Sequence, residues 1–251
     1  MTAWQKQMRD AQMDDHPVPK DFSRAEVREI SYKKAEEIIV TRQYEWLGTM
    51  GTTRHCFGLF FDGELAGVEC FGATAGTGVS NLCGPEHTDR VMTLVRGACV
   101  HWAHPHSASY LIPRACKLMA AEGKNIFVAY SDTKAGEIGT VYQACNWQYC
   151  GMTASGGKGL CVSPSGEEMD ARNIEHHVRD CVRNTKGATF FRKPTRKEVQ
   201  GKMIARGWIF KSRTPKHRYI GIYGENKLRE DLIGALQWNI LPYPKRPTAG
   251  N

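Results

Sequence analysis

The stretch Val128–Gly151 constrains the fold more than any other part of this 251-residue chain. It reads VAYSDTKAGEIGTVYQACNWQYCG: an apolar run ends at Asp132, a glycine-bearing loop follows, and a short helical pattern ends at Asn146–Trp147. The place where a strand ends and a helix begins is a common position for a small pocket in an open α/β sheet. One carboxylate and three tyrosines could meet there, while an ordinary strand–turn–helix unit with core tyrosines explains the same pattern.

The rest of the chain alternates strand-like and helix-like patterns, which predicts a mixed α/β protein. Ser31 can cap a first helix that runs to about Leu47, and Asp62–Gly63 favours a type I′ turn between two strands. The other predicted strands are Val27–Ser31, His55–Phe61, Leu65–Gly72, Val91–Val100, Asn125–Ser131, Gln148–Thr153 and a final pair, Trp208–Ser212 with Arg218–Tyr223. The other predicted helices start at Ser107 or Ser109, at Ile138, near Ala171, after Thr195 and at Lys227.

We expect three parts: a flexible arm over residues 1–22, a core over 23–153, and a basic part over 154–251 that completes the sheet and contacts DNA. The N-terminal residues lack the apolar core of a secretory signal, and no apolar run approaches the ~20 residues that span a bilayer. The nine cysteines are scattered without a CxxC pair, which is typical of reduced core residues. These features predict a cytoplasmic protein without membrane attachment.

Positive charge is concentrated near the C-terminus. Between residues 183 and 246 the chain has 16 Lys or Arg and 4 Asp or Glu, whereas the remainder has 18 and 22. A separate basic region favours a polyphosphate partner, because each neutralised phosphate releases condensed counterions. A solvated basic face without a partner is the alternative.

Three motifs together resemble the phage Mu Mom family. They are Phe57–Gly72 (FGLFFDGELAGVECFG), Ser107–Gly151 with its YSD and YQACNW segments, and KHRYIGIY with LPYPKR near the end. The resemblance covers roughly residues 27–246. It implies a GNAT-like α/β fold, with a mixed central sheet flanked by helices and a basic C-terminal extension. It also implies an enzyme that adds a carbamoylmethyl group to the exocyclic amine of adenine in double-stranded DNA, protecting phage DNA from host restriction.

The resemblance also implies site residues. The catalytic candidates are Ser107, Asp132, Tyr142 and Tyr149. A GNAT-like fold holds an acyl-coenzyme A, such as acetyl-CoA, on its fourth strand and the following helix, which makes Val95, Arg96, Ser107, Ala108, Ser109 and Asn146 the cofactor candidates. The usual glycine-bearing pyrophosphate loop is absent, but the N–H groups at a helix N-terminus can bind phosphate instead.

For DNA, the KHRY motif implies contacts from Lys216, His217, Arg218 and Tyr219. Basic residues nearby are expected to hold backbone phosphates rather than to read sequence; these are Lys186, Arg192, Lys193 and Arg213. Duplex adenine must be flipped out of the stack before it can react. Trp46, Tyr110 or Trp147 could stack on the flipped base, although each is also a plausible core residue.

Each chemical assignment has a structural alternative. Asp132 could accept a proton from the adenine amine or cap a turn, and Tyr142 and Tyr149 could donate protons or pack in the core. Attachment through carbon, which a carbamoylmethyl product needs, makes redox or metal help conceivable. His101, His104 and His106 could then bind iron, although helix-start and surface histidines explain the spacing too.

Two other functions fit the sequence. One is a GNAT acyltransferase that acts on a protein or small-molecule amine. The other is a non-catalytic DNA-binding phage protein.

Overall fold

A computed structural model describes residues 17–39, 52–74, 76–154, 156–170 and 195–246. The chain divides into two compact units, of which the first combines Met1–Met152 with Lys216–Asn251 and the second is Thr153–Pro215. The predicted flexible arm up to residue 16, the far part of the first helix and the predicted helix near Ala171 lie outside the described residues.

The first unit is built on a seven-stranded sheet in the order β1-β2-β3-β4-β5-β10-β6. All neighbouring strands are antiparallel except β4 and β5, which are parallel. The mixed α/β architecture with a central sheet is therefore confirmed. Its strands are β1 (Ala25–Ile30), β2 (Thr53–Phe61), β3 (Glu64–Gly72), β4 (Val91–Cys99), β5 (Ile126–Asp132), β6 (Gln148–Met152) and β10 (Lys216–Ile222).

Helices cover both faces of this sheet. They are α1 (Tyr32–Ile39), α2 (Thr77–Ser80), α3 (Ser107–Ala121), α4 (Thr140–Ala144) and α6 (Asn226–Gly234). Buried residues of α3 pack with Phe127 and Ala129 of β5 on one face, which we call the α3 face. Leu232 of α6 packs with Ile126 and Val128 on the opposite face, which we call the α6 face. Side chains alternate along a strand, so neighbouring residues of β5 serve different cores.

Local sequence explains several of these elements. The β2–β3 hairpin turns at Asp62–Gly63, both with positive φ (51° and 85°), as the predicted type I′ turn requires. The hydroxyl of Ser31 accepts a hydrogen bond from the N–H of Lys34 at 3.2 Å and so caps α1 as predicted. The start of α3 differs from the prediction, because His106 precedes the first turn and caps it with no side-chain hydrogen bond.

Strand β10 arrives late in the chain but lies between β5 and β6. Gly221 makes this insertion possible, because a Cβ there would collide with the indole of Trp147. Trp147 is buried, and its Nε1 donates to the hydroxyl of Tyr223 at 3.0 Å. The C-terminal segment therefore completes the sheet that carries the YSD motif.

The second unit contains a three-stranded sheet in the order β8-β7-β9, with strands β7 (Gly156–Val162), β8 (Glu168–Asp170) and β9 (Ile209–Arg213). Helix α5 (Arg196–Ile204) begins with a capping box between Thr195 and Glu198, as predicted for Thr195. The predicted pairing of the last two strands is wrong: β9 pairs with β7, whereas β10 belongs to the seven-stranded sheet.

We expect Gly221→Ala to destabilise the first unit by about 1–3 kcal/mol, because the added methyl displaces the buried indole of Trp147. Urea unfolding followed by circular dichroism measures the change. Gly234→Ala is the control, because a Cβ there meets nothing within 4 Å. A Gly221→Ala protein as stable as the control would contradict this account of the packing.

Candidate active site

The two parallel strands at the centre of the sheet separate soon after they meet. Only Val91–Thr93 of β4 are in register with Ile126–Val128 of β5. Beyond this point β4 continues against β3, and β5 continues against β10. We call the opening between Leu94–Cys99 and Ala129–Asp132 the fork. The ladder that joins the two strands ends here, and some backbone groups along the fork are paired locally instead, such as the Asp132 N–H with Glu137.

The cofactor candidates lie around the fork. Val95 and Arg96 are half-buried on β4 at a bulge in its pairing with β3, and an Arg96 Nη1 donates to the carbonyl of Val95 at 2.9 Å. Asn146 follows α4 with a φ of 57° and is exposed.

Ser107, Ala108 and Ser109 form the first turn of α3, whose N–H groups have no side-chain cap. The Ser107 hydroxyl is buried and has no hydrogen-bond partner among the described residues. Pro113 removes the N–H that would bond the Ser109 carbonyl, and the thiol of Cys145 approaches this carbonyl at 3.8 Å instead. The N–H of Ser107 donates to the carbonyl of His104 at 2.8 Å. The helix start thus offers the N–H groups of Ala108 and Ser109 and a buried hydroxyl.

A cluster of charged residues marks the end of β5. The carboxylate of Asp132 lies 3.0 Å from Lys216 Nζ, and both side chains are partly exposed, at 39% and 46%. The N–H of Asp132 donates to Glu137 Oε2 at 3.3 Å. Burial raises the pKa of Glu137, and the hydrogen bond from the Asp132 N–H partly opposes this increase; the charges of Asp132 and Lys216 act in smaller, opposite directions. The sequence analysis missed Glu137, although its position in the loop after the YSD motif could have indicated it.

The carboxylate of Asp132 and the start of α3 do not share one face of the sheet. Ser131 follows Phe127 and Ala129 on the α3 face, so Asp132 follows Ile126, Val128 and Tyr130 on the α6 face. We expected these two catalytic candidates to line one cavity, and the strand register shows that this prediction is wrong. The two groups could approach a common ligand only through the fork.

Two of the predicted DNA contacts are buried instead. The Nδ1 of His217 is 2.9 Å from the Tyr149 hydroxyl, and Tyr219 donates to the carbonyl of Ile138 and accepts from Gln143. Burial lowers the pKa of His217 and raises that of Tyr149. We therefore reassign His217 and Tyr219 from DNA contacts to an aromatic cluster on the α3 face.

Tyr142 belongs to the same cluster but keeps its hydroxyl unengaged. Its ring stacks on Trp147 with centroids 5.5 Å apart, and no described residue hydrogen-bonds its hydroxyl. Burial raises the pKa of Tyr142 strongly, and the nearby carboxyl of Glu69 adds to this increase. Of the two tyrosines proposed as proton donors, Tyr142 is thus the one whose hydroxyl is available.

Glu69 was also missed by the sequence analysis. It lies in β3 on the α3 face, opposite Phe57 and Gly97, and only 3% of it is exposed. Its Oε2 has no hydrogen-bond partner among the described residues, and burial raises its pKa well above the ordinary value. A glutamate within an apolar strand pattern, GELAGVECFG, was the available signal.

The remaining basic candidates are only partly described. Lys186, Arg192, Lys193 and the side chain of Arg213 lie outside the described residues. An Arg218 Nη2 donates to the carbonyl of Cys150 at 2.9 Å, and the guanidinium lies 4.3 Å from the ring centroid of Trp238. Arg218 is thus held within the fold, while Lys216 is the more exposed of the two.

The HxxHxH histidines do not form a metal site. The rings of His104 and His106 are 5.5 Å apart, and His101 is buried. Within the described ranges, no group of three or more His, Cys, Asp or Glu side chains could hold a metal ion. In the same ranges no helix is long and apolar enough to cross a membrane.

Comparisons with known proteins add a family match. A model of the Mom protein family matches residues 24–245. No curated protein matches the chain.

Several solved structures are similar in fold. An acetyltransferase from Bacillus subtilis in complex with CoA is 11% identical with a TM-score of 0.40, covering 80% of this chain and 99% of that one. A putative GNAT acetyltransferase from Desulfovibrio desulfuricans is 12% identical with a TM-score of 0.39, covering 79% and 98%. These TM-scores are low, so the fold assignment rests on the strand order and registers given above.

Glu69→Gln is expected to stabilise the protein increasingly as pH rises. The raised pKa of Glu69 means that the unfolded chain releases its proton near the ordinary value while the folded protein keeps it, so wild-type stability falls through that window. Glutamine does not titrate, and its advantage should grow by about 1.4 kcal/mol per pH unit within the window. Urea unfolding between pH 4 and pH 8 measures this difference, and a constant difference would mean that Glu69 is ionised when folded.

Proposed function

This chain belongs to the Mom protein family, and from that membership we propose that it is a transferase that modifies the exocyclic amine of adenine in double-stranded DNA. The observation that carries the proposal is the Asp132–Lys216 pair, in which a proton acceptor and a cation lie 3.0 Å apart and both partly exposed. An amine on a phosphate backbone needs a proton acceptor for the amine and a cation for the phosphate, and the two must lie close together.

Asp132 has the chemistry that the adenine amine requires. This amine is conjugated with its ring, so it must be oriented and must lose a proton while its nitrogen forms the new bond. Asp132 accepts that proton, and the Lys216 ammonium lies 3.0 Å from the accepting carboxylate. Glu137, with its raised pKa, lies beside this pair and accepts the N–H of Asp132.

An acyl-coenzyme A is the proposed donor, and the residues around the fork fit it. Val95 and Arg96 would hold its extended arm along β4. The N–H groups of Ala108 and Ser109 in the first turn of α3 would bind its phosphates, with the buried Ser107 hydroxyl beside them. When bound, such a donor would supply an activated acyl group, and Tyr142 would give a proton to the leaving thiolate.

Acyl transfer from this donor alone gives an N-acyl adenine, with the thiolate as leaving group. The carbamoylmethyl group that the resemblance implies is attached through carbon and carries an amide nitrogen, so it needs a reactant beyond the acyl donor. This product and the protection of phage DNA from restriction, in a host cytoplasm, are the finer parts of the proposal. They follow from the family, as does the need to flip adenine from the duplex at a cost of a few kcal/mol. Lys216 and the C-terminal excess of basic residues support phosphate binding.

We expect cells that express the chain to contain a modified deoxyadenosine, which Asp132→Asn reduces by about 10²–10⁴-fold. Mass spectrometry of digested DNA gives the amount and the mass of the added group, and the mass separates acetyl from carbamoylmethyl. Asp89→Asn, at an exposed position, is the matched control. Unmodified DNA together with an acylated protein or small amine would instead identify an acyltransferase of another substrate class.

We further expect Lys216→Ala to weaken DNA binding by a similar factor on all sequences and to reduce the salt dependence by about one counterion. Fluorescence anisotropy at several salt concentrations measures both quantities. Lys117→Ala removes an exposed charge of α3 as a control. If Lys216→Ala shows the same salt dependence of DNA binding as the wild type and the Lys117→Ala control, Lys216 does not contact the DNA backbone.

A further inference from the structure

Glu69 is a carboxyl group for which the fold has no structural use. It is 3% exposed, and its Oε2 lacks a hydrogen-bond partner among the described residues. Most buried polar groups in native proteins are paired, because an unpaired one costs stability. A buried polar group that costs stability and lacks a hydrogen-bond partner is typical of a functional site.

The position of Glu69 links it to the fork. Its carboxyl lies directly over Gly97 of β4, where a Cβ would collide with all three carboxyl atoms. Gly97 belongs to the part of β4 that has separated from β5. The same face carries Tyr142, whose pKa the carboxyl influences, so groups from both sides of the fork converge here.

Among the described residues, no positive charge contributes to the pKa of Glu69, which burial alone raises. The titratable groups that its charge influences are Cys70 on its own strand, Cys116 on α3, and Tyr142 and Cys145 on and after α4. Arg96, on the neighbouring strand, occupies the position opposite Cys70 rather than Glu69. The surroundings therefore favour the neutral acid, which carries an O–H donor.

We propose that Glu69 donates a hydrogen bond from its neutral carboxyl group to the carbonyl oxygen of the acyl group that the fork binds. A buried carboxylic acid that stays neutral so that it can donate to a substrate oxygen is an established catalytic pattern. The inference deepens the proposed function and depends on its acyl donor. Glycine at position 97 leaves the space that the carboxyl occupies at the edge of β4.

Two substitutions separate the possible roles of Glu69. Glu69→Gln keeps an N–H donor and cannot ionise, so it should retain the DNA-modifying activity within about tenfold. Glu69→Leu removes the donor and should lose about 10²–10³-fold, as does removal of a donor to a developing oxyanion. An inactive but folded Glu69→Gln would show that Glu69 accepts a proton instead, and a fully active Glu69→Leu would show that it has no part in the reaction.

A spectroscopic measurement tests the contact without DNA. The infrared difference spectrum on adding acetyl-CoA should show a shift of a protonated carboxyl band, and Glu69→Gln should lack that band. A bound acetyl-CoA that leaves the band unmoved overturns the proposal, as does a failure of acetyl-CoA to bind. A shifted band in a protein that leaves adenine unmodified would support the role of Glu69 and reject adenine as the substrate. Adenine modification by the Glu69→Leu protein would support adenine as the substrate and reject the role of Glu69.

Discussion

The short parallel ladder between β4 and β5 is the constraint on which the rest of the site depends. Three residue pairs join the strands. Beyond these pairs the strands separate, so neither strand pairs with the facing edge of the other. Each strand is anchored on its outer side instead, β4 by β3 and β5 by β10. The opening is therefore held rigidly from both sides, which suits a site that must orient two reactants.

This arrangement gives the two faces of the sheet different chemistry. The α6 face presents an ion pair that is partly open to solvent, suited to a charged polymer. The α3 face presents buried, neutral hydroxyl and carboxyl groups, suited to an acyl group shielded from water. An amine approaching from one face and an activated carbonyl held on the other would meet where the strands separate.

Much of the fold could be predicted from the sequence, because its signals are local. The Asp62–Gly63 turn, the Ser31 and Thr195 caps and the mixed succession of elements follow from short-range rules. The partner of β10 could not be predicted from such local rules. This strand begins at residue 216 and pairs with β5, about ninety positions earlier, which only tertiary packing can bring about. For the site, the YSD motif identified Asp132, but the sheet face on which Asp132 lies depends on the strand register. The missing hydrogen-bond partner of the Glu69 Oε2 depends on its burial, which no sequence motif encodes.

The register of β5 has a consequence for proteins related to this chain. Because successive side chains of β5 point in opposite directions, the loss or gain of one residue between Ile126 and Asp132 would carry the carboxylate to the interior and a small hydroxyl to the surface. Relatives of this chain can thus vary their loops freely, but the number of residues in this strand should stay fixed even where the residues themselves change.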